Sequence, residues 1–419
     1  MLESLSTKKL AAGVLIALGL SLGHVPSASA QAVDPKTRDM LIEKLTQVYL
    51  NLAPADSSKV AITLRLADLH AERARLDAMK ELETGCTTCT AGANDRKKAL
   101  GYYQEVLPKV QENSVGKVLA QVGHLYEMTG NEKDAIATYE RILKDPKSAS
   151  AKAEANVSLA EVYFKRRDYA QAKKNYQAVL ENPSALSKGL AAYRIAWCEF
   201  NEGHLDPAIN GLVTVLKTPE LSARTAAVSG VAQIDKQFQE EVSRDLATFM
   251  ARRTATVKDA ALLYDVSPES AKISNVTFLA SELERLGQAQ ASIDLWRFAQ
   301  EKQSKPEARL EGLIRLAQLE MEQKQLPQAS KDYESALSLW TTMGTCNEQD
   351  CAELKARLRK FVTDWNRTEK AAPSEALLNA YQAYLKTFSN ESDMYLWAGK
   401  VASDLKQYAL AVELSQKAA

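Results

Sequence analysis

The strongest constraint on this chain is that it repeats itself. "LAQVGHLYEMTGNEKDAIATYERILKDP" (119–146) aligns with "NVSLAEVYFKRRDYAQAKKNYQAVLENP" (156–183) at a constant offset of 37 residues. Val122-Gly123 falls on Leu159-Ala160, Tyr126 on Tyr163, Ala135 on Ala172, Tyr139 on Tyr176, Ile142 on Val179 and Pro146 on Pro183. A third copy follows 36 residues later with Ile195-Ala196, Ala208, Leu212, Val215 and Pro219. Apolar residues at helical spacing on both sides of a short polar turn specify an antiparallel helix hairpin. Small residues on each helix (Gly123 and Ala135, Ala160 and Ala172, Ala196 and Ala208) allow close approach. Large residues fill the space between neighbouring hairpins, and the proline ends the second helix. A single hairpin cannot bury its apolar face, so the units must stack. The expected fold class is all-α, a solenoid of stacked antiparallel hairpins.

The pattern resumes at "VTFLASELERLGQAQASIDLWRFA" (276–299), with Ala280, Leu283, Ser292, Trp296 and Ala299. It recurs 37 residues on at "LIRLAQLEMEQKQLPQASKDYESA" (313–336), with Ala317, Ala329, Tyr333 and Ala336. A weaker unit, "YLWAGKVASDLKQYALAVELSQKA" (395–418), carries Gly399, Tyr408 and Ala411. It lacks a polar capping helix, which leaves open a cap from elsewhere or a longer parent chain. Between the two sets, 221–272 reads as helices without the repeat positions: a degenerate repeat pair or a helical joint. The expected organisation is a leader at 1–30, an array at 31–220, a joint at 221–272 and a second array at 273–419, possibly truncated.

The recurring small-residue, aromatic, alanine and proline positions resemble the tetratricopeptide repeat, slightly stretched from that family's 34 residues. The resemblance implies a TPR-type solenoid whose first helices line a concave, protein-binding side. Some members grip a C-terminal carboxylate with Lys and Asn on three successive first helices. Those places here hold Ala120, His124, Ser158, Leu190 and Arg194, of which only Arg194 fits, so that clamp is not expected.

The N-terminus reads as an export signal. Lys8 and Lys9 precede the apolar stretch "LAAGVLIALGLSLG" (10–23), and Ala28 and Ala30 stand before a cut expected after Ala30. An uncleaved anchor is the alternative, although the run is short for a bilayer span. No cysteine precedes Cys86, which argues against lipid attachment near the cut. Export, in turn, implies an oxidising compartment, the periplasm. Lys+Arg and Asp+Glu both number 53, so no general attraction to nucleic acid or an anionic membrane is expected.

The chain has five cysteines. Cys86 and Cys89 lie in "GCTTCTAG", inside an insertion of about 20 residues between "LRLADLHAERARLDAMKELE" (64–83) and "RKKALGYYQEVLP" (96–108). Helical periodicity through Leu69, Leu76 and Met79 makes this a lengthened hairpin with the cysteines at its tip. No strand–helix unit stands nearby to activate a redox pair, and no second ligand pair stands nearby to complete a zinc site. The expected disulfides are Cys86–Cys89 and Cys346–Cys351, each pinning a loop. Cys198, beside Trp197, is expected to be a buried free thiol.

No catalytic residues, metal ligands or cofactors are expected. None of the four histidines has a histidine or cysteine partner at i+3 or i+4, and there is no Gly-rich phosphate loop or G-x-S-x-G. The candidate partner-binding groove is a stripe along first helices: Tyr193, Arg194, Trp197 and Phe200, then Phe164, Lys165 and Glu161, then His124 and Glu127. Large aromatics beside an arginine are typical of binding hot spots, although the same rings, Phe200 above all, could pack between hairpins. On "AELKARLRKFVTDWNR" (352–367), Leu354, Leu358, Phe361 and Trp365 read as a packed side. Lys355, Arg357, Arg359 and Lys360 read as a solvated basic face or as a surface for an acidic partner.

These features together describe an exported, non-enzymatic scaffold binding cell-envelope proteins, with no integral membrane segment after cleavage. The long cysteine-tipped hairpin is similar to envelope repeat proteins of predatory and gliding bacteria over the first half of the chain, which implies a gliding-motility complex. Two other readings stay open: a thiol oxidoreductase acting through Cys86 and Cys89, and a peptidoglycan- or polysaccharide-binding module using the Tyr193 and Trp197 rings.

Overall fold

The computed structural model describes residues 34–86, 90–225, 232–343 and 348–419. Among these the chain forms twenty α-helices, from Pro35–Asn51 to Tyr408–Ala418, with two short 3-10 segments. One pair of three-residue strands, Ala223–Thr225 and Ala232–Ile234, is a small departure from the all-α expectation. The leader and its cut after Ala30 lie outside the described residues. The chain divides into two compact units: residues up to 191 with 223–233, and residues 192–222 with 234–419. The division thus falls inside helix Lys188–Asn201, upstream of the 221–272 stretch.

In the first unit the repeat pattern becomes the hairpins Glu112–Met128/Glu132–Lys144 and Lys152–Lys165/Tyr169–Glu181. Gly123 shows why the small position is small. A Cβ there would stand 2.4 Å from the ring of Tyr139, which lies flat against the first helix. Tyr139 and Tyr176 are fully buried, as are Ala135 and Ala172 one turn earlier on the same helices. Such aromatic burial supplies much of the packing energy that an isolated hairpin lacks.

A turn of three residues joins the helices of six hairpins, and each turn holds one left-handed residue: Gly130, Arg167, Gly203, Gly287, Lys324 or Lys406. The following N–H reaches back to a carbonyl of the first helix, as from Asn131 to Tyr126 and from Asp168 to Tyr163, both at 2.9 Å. This is the helix stop in which a left-handed residue closes the last turn. At Arg167, Lys324 and Lys406 the side chain makes that conformation costly.

The inserted hairpin is lengthened in one arm only. Its first helix, Lys59–Glu83, has 25 residues, and its second, Ala93–Val106, has 14. Gly92, at φ +73°, sits so close to Ala74 that a Cβ would come within 2.5 Å of the Ala74 carbonyl oxygen. The second helix therefore starts opposite Ala74, and residues 75–83 extend past it. The return is tied down locally: Ala91 N–H donates to the Glu81 carboxylate at 2.6 Å, and Arg96 donates to the Ala91 carbonyl at 3.0 Å.

The second unit contains the 272–302, 306–342 and 392–418 hairpins that the pattern marks. It also holds Lys236–Met250 with Val257–Val266, and Glu348–Thr368 with Glu375–Thr387, which do not follow the pattern. The helices from 306 onward share an aromatic core that includes Tyr333, Trp365, Tyr381 and Tyr384, all fully buried.

Candidate functional site

The nine proposed groove residues fall into two sets, one in each unit. In the first unit, the residue after each small position meets the tyrosine of its own hairpin. Tyr103 donates to Asp68 at 2.6 Å, and Tyr176 donates to Glu161 at 2.7 Å. The Tyr139 hydroxyl stands 2.9 Å from His124 Nδ1 and donates to Glu127 at 2.5 Å. Asp68, His124 and Glu161 follow Ala67, Gly123 and Ala160 directly, so one repeat position serves the same role three times. His124 Nε2 in turn lies 3.1 Å from Glu154, and the Lys165 ammonium is 3.8 Å from Glu127. His124, Glu127, Glu154 and Lys165 thus form one partly exposed polar cluster. Phe164, half-buried, packs edge-on against Tyr169.

The second set is closed by packing. Tyr193 is 5% exposed, and its hydroxyl donates to Asp245 at 2.5 Å. The Trp197 indole N–H donates to the same carboxylate at 3.0 Å. Phe200 stacks on Phe249 with ring centres 4.0 Å apart, and Trp197 meets the same ring edge-on at 4.9 Å. Arg194 lies 6.0 Å from the Tyr193 ring centre. The sequence reading set a binding stripe against packing between hairpins, and here the rings make packing contacts. Helix Lys236–Met250 supplies Phe238, Asp245 and Phe249, which pack against these side chains and leave Trp197 and Phe200 half-buried. Burial pushes the Asp245 carboxyl up to about 6, against the opposing hydrogen bonds from Tyr193 and Trp197.

The basic helix is likewise engaged. Leu354, Leu358, Phe361 and Trp365 are buried, as their spacing implies. Lys355 pairs with Glu391 and Arg357 with Glu311, both at 2.8 Å. Arg359 pairs with Glu391 at 2.5 Å and also with Asp393, and Lys360 pairs with Asp364. Each cation has an acid within the chain, which weakens the case for an acidic partner there.

Several contacts escaped the sequence reading. His70 Nδ1 is 2.6 Å from Asp95, which also takes two hydrogen bonds from Arg73, while Arg73 reaches Asp39 at 2.9 Å. The cluster clamps the long hairpin near its branch point. Burial pushes the His70 imidazole down, although Asp95 favours its charged form. Glu199, Glu202 and His204 bring possible ligand atoms within 4.8 Å of one another. A search for histidine partners at i+3 or i+4 passes over them. Cys89 and Cys346 lie outside the described residues, so both disulfides and the thiol reading remain proposals. Cys198 is buried. Among the described residues no helix is long and apolar enough to cross a membrane.

Stacked hairpins with a small residue on the first helix, an aromatic across from it and a left-handed turn between them define a helical-repeat protein. The tetratricopeptide repeat family model matches residues 154–184, which is the second of the aligned copies. Over 77 residues it is 38% identical to "Cilia- and flagella-associated protein 70" of Homo sapiens. That alignment covers 17% of this chain and 7% of the human protein, so the chain spans a small part of the relative's length. Among solved structures it is similar to a chain in "Structure of Naa15/Naa10 bound to HypK-THB", at 13% identity and a TM-score of 0.31. That likeness covers 91% of this chain and 63% of the other. The repeat match supports a protein-interaction scaffold.

Proposed function

We propose that this scaffold is exported, acts without catalysis and holds protein partners together in a cell-envelope complex. The observation that carries the reading is the partly exposed polar cluster on the first helices of the first unit. His124, Glu127, Glu154 and Lys165 combine donors and acceptors on a rigid hairpin frame, with Phe164 beside them. Rigid helices that present a few ordered polar groups beside an aromatic suit recognition of a peptide segment. The leader-like N-terminus supports export, and the cysteine pairs suit an oxidising compartment. A role in a gliding-motility machine is the finer form of the proposal, resting on the resemblance of the long hairpin.

The test is crosslinking in living cells, with mass spectrometry of the proteins captured by the full chain. A Phe164→Ala/Lys165→Ala variant runs beside it, since neither residue is a core residue. Capture of defined envelope proteins, lost in the variant, supports the scaffold and locates its surface. Capture confined to cytoplasmic proteins overturns the envelope assignment, and no specific capture overturns the scaffold itself.

A further inference from the structure

The second unit contains a charge imbalance that the scaffold reading does not use. Glu320, near the end of helix Pro306–Glu322, has a fully buried side chain. Asp332, on helix Leu326–Thr342, has a side chain 9% exposed. A single guanidinium faces both. Arg297 Nη2, from helix Ala289–Lys302, donates to Glu320 Oε1 and to Asp332 Oδ2, the latter at 3.1 Å. Gln328 Nε2 also donates to Asp332 Oδ2, at 3.2 Å. Glu320 Oε2 is buried and accepts from no donor among the described residues.

The surrounding charges are committed elsewhere. On the same helix as Glu320, Arg315 pairs with Glu284, and Glu311 pairs with Arg357 of helix Glu348–Thr368 at 2.8 Å. Helix Ala289–Lys302 contributes Arg297 to the cluster and helix Leu326–Thr342 contributes Asp332; both carboxylates depend on that one cation. Two ionised carboxylates held by one guanidinium leave a net negative charge on two buried acids, which is costly. Neighbouring carboxylates relieve such a cost by keeping one proton between them. A proton on Glu320 would also make its orphaned oxygen a donor.

We propose that Glu320, beside Asp332 and on the same guanidinium, keeps its proton in the folded chain at neutral pH, so that the packing of these three helices loosens when alkali removes it. Burial, and next the neighbouring Asp332, push the Glu320 carboxyl up to about 8, with Arg297 opposing. The folded value lies above the unfolded one. The stability from this proton is therefore complete below the ordinary carboxylate range and is lost as pH rises through about 8.

The test compares the full chain with Glu320→Gln, which replaces the protonated acid by its neutral isostere. Protons released on unfolding at pH 7 are counted by calorimetry in buffers of different ionisation heat. The wild type should release about one more proton than the variant. Its melting temperature should also fall more steeply than the variant's between pH 5 and about 8.5. Asp332→Asn should remove the same difference, because Glu320 then ionises against Arg297 alone. Equal proton counts in wild type and Glu320→Gln, or identical pH slopes, would overturn the proposal. A Glu320→Gln chain that does not fold would also overturn it, since a neutral isostere should be tolerated where the native group is neutral.

Discussion

The hairpins at 112–181 and the one at 188–217 use the same repeat position in opposite ways. In the former, the residue after the small position turns inward and receives the tyrosine of its own second helix, so the tie closes within the unit. In the latter, Trp197 fills that position and Leu212 replaces the tyrosine. The polar bond then goes outward to Asp245 on helix Lys236–Met250. In these hairpins one position is thus an internal latch or a joint to the next element, while at 306–342 the tyrosine itself, Tyr333, reaches outward to the Leu358 carbonyl at 2.8 Å. Where the tyrosine is lost, the partner has to be found further along the chain, and a helix with no repeat signature is held in place.

The comparison breaks most visibly at Asp245. Asp245→Ala leaves the Trp197 N–H without its acceptor and the Tyr193 hydroxyl with only the longer bond to Glu241, at 3.2 Å, and denaturant unfolding should show a loss of about 2 kcal/mol. Asp245→Asn has a different signature. The native carboxyl titrates at about 6, above its unfolded value, so its protonated form favours the fold and stability falls as pH rises from about 4 to 6. Asn should remove that component of a melting-temperature profile, and an unchanged slope would show that Asp245 does not titrate there.

Smaller effects sharpen the inward case. Gly123→Ala drives a methyl into the Tyr139 ring, for a net cost of about 2 kcal/mol. Adding Tyr139→Leu, the pairing used by Ala196 and Leu212, should recover part of the loss, measured by a double-mutant cycle. Tyr176→Phe removes the bond to Glu161 and should cost about 1 kcal/mol; no measurable change would mean that water replaces the latch. Arg167→Gly relieves a left-handed residue at an exposed turn and should raise stability by about 0.5 kcal/mol, net of glycine's greater unfolded freedom.

Most of the architecture was readable because hairpin packing is written in residue size. Gly123 against Tyr139 and Ala135 on the facing helix are steric statements that survive without coordinates. The turn register was legible too, although the Arg167, Lys324 and Lys406 turns carry no glycine to advertise them. At 236–266 and 348–387 the helices were legible but their pairing register was not, because they lack the small-residue spacing and are joined by longer turns. The candidate surface was half legible. A helical stripe identifies which residues share a face, and Glu161, His124 and Glu127 do sit with the tyrosines. It cannot say whether another helix covers that face, and for Tyr193, Trp197 and Phe200 one does. The Asp95 and Glu320 clusters join residues from separate helices, and no local spacing announces them.

The three-residue turns also bear on how the chain acquires its structure. Six hairpins close over a loop that short, so each contact forms between near neighbours and folding should be fast and local. The long hairpin is different, because its helix ends are separated by residues 84–92. Closing a loop three times longer costs about 1 kcal/mol more in chain entropy. The arm at 59–83 should therefore dock late, after its neighbours have set, and hydrogen exchange should find it among the first segments to open.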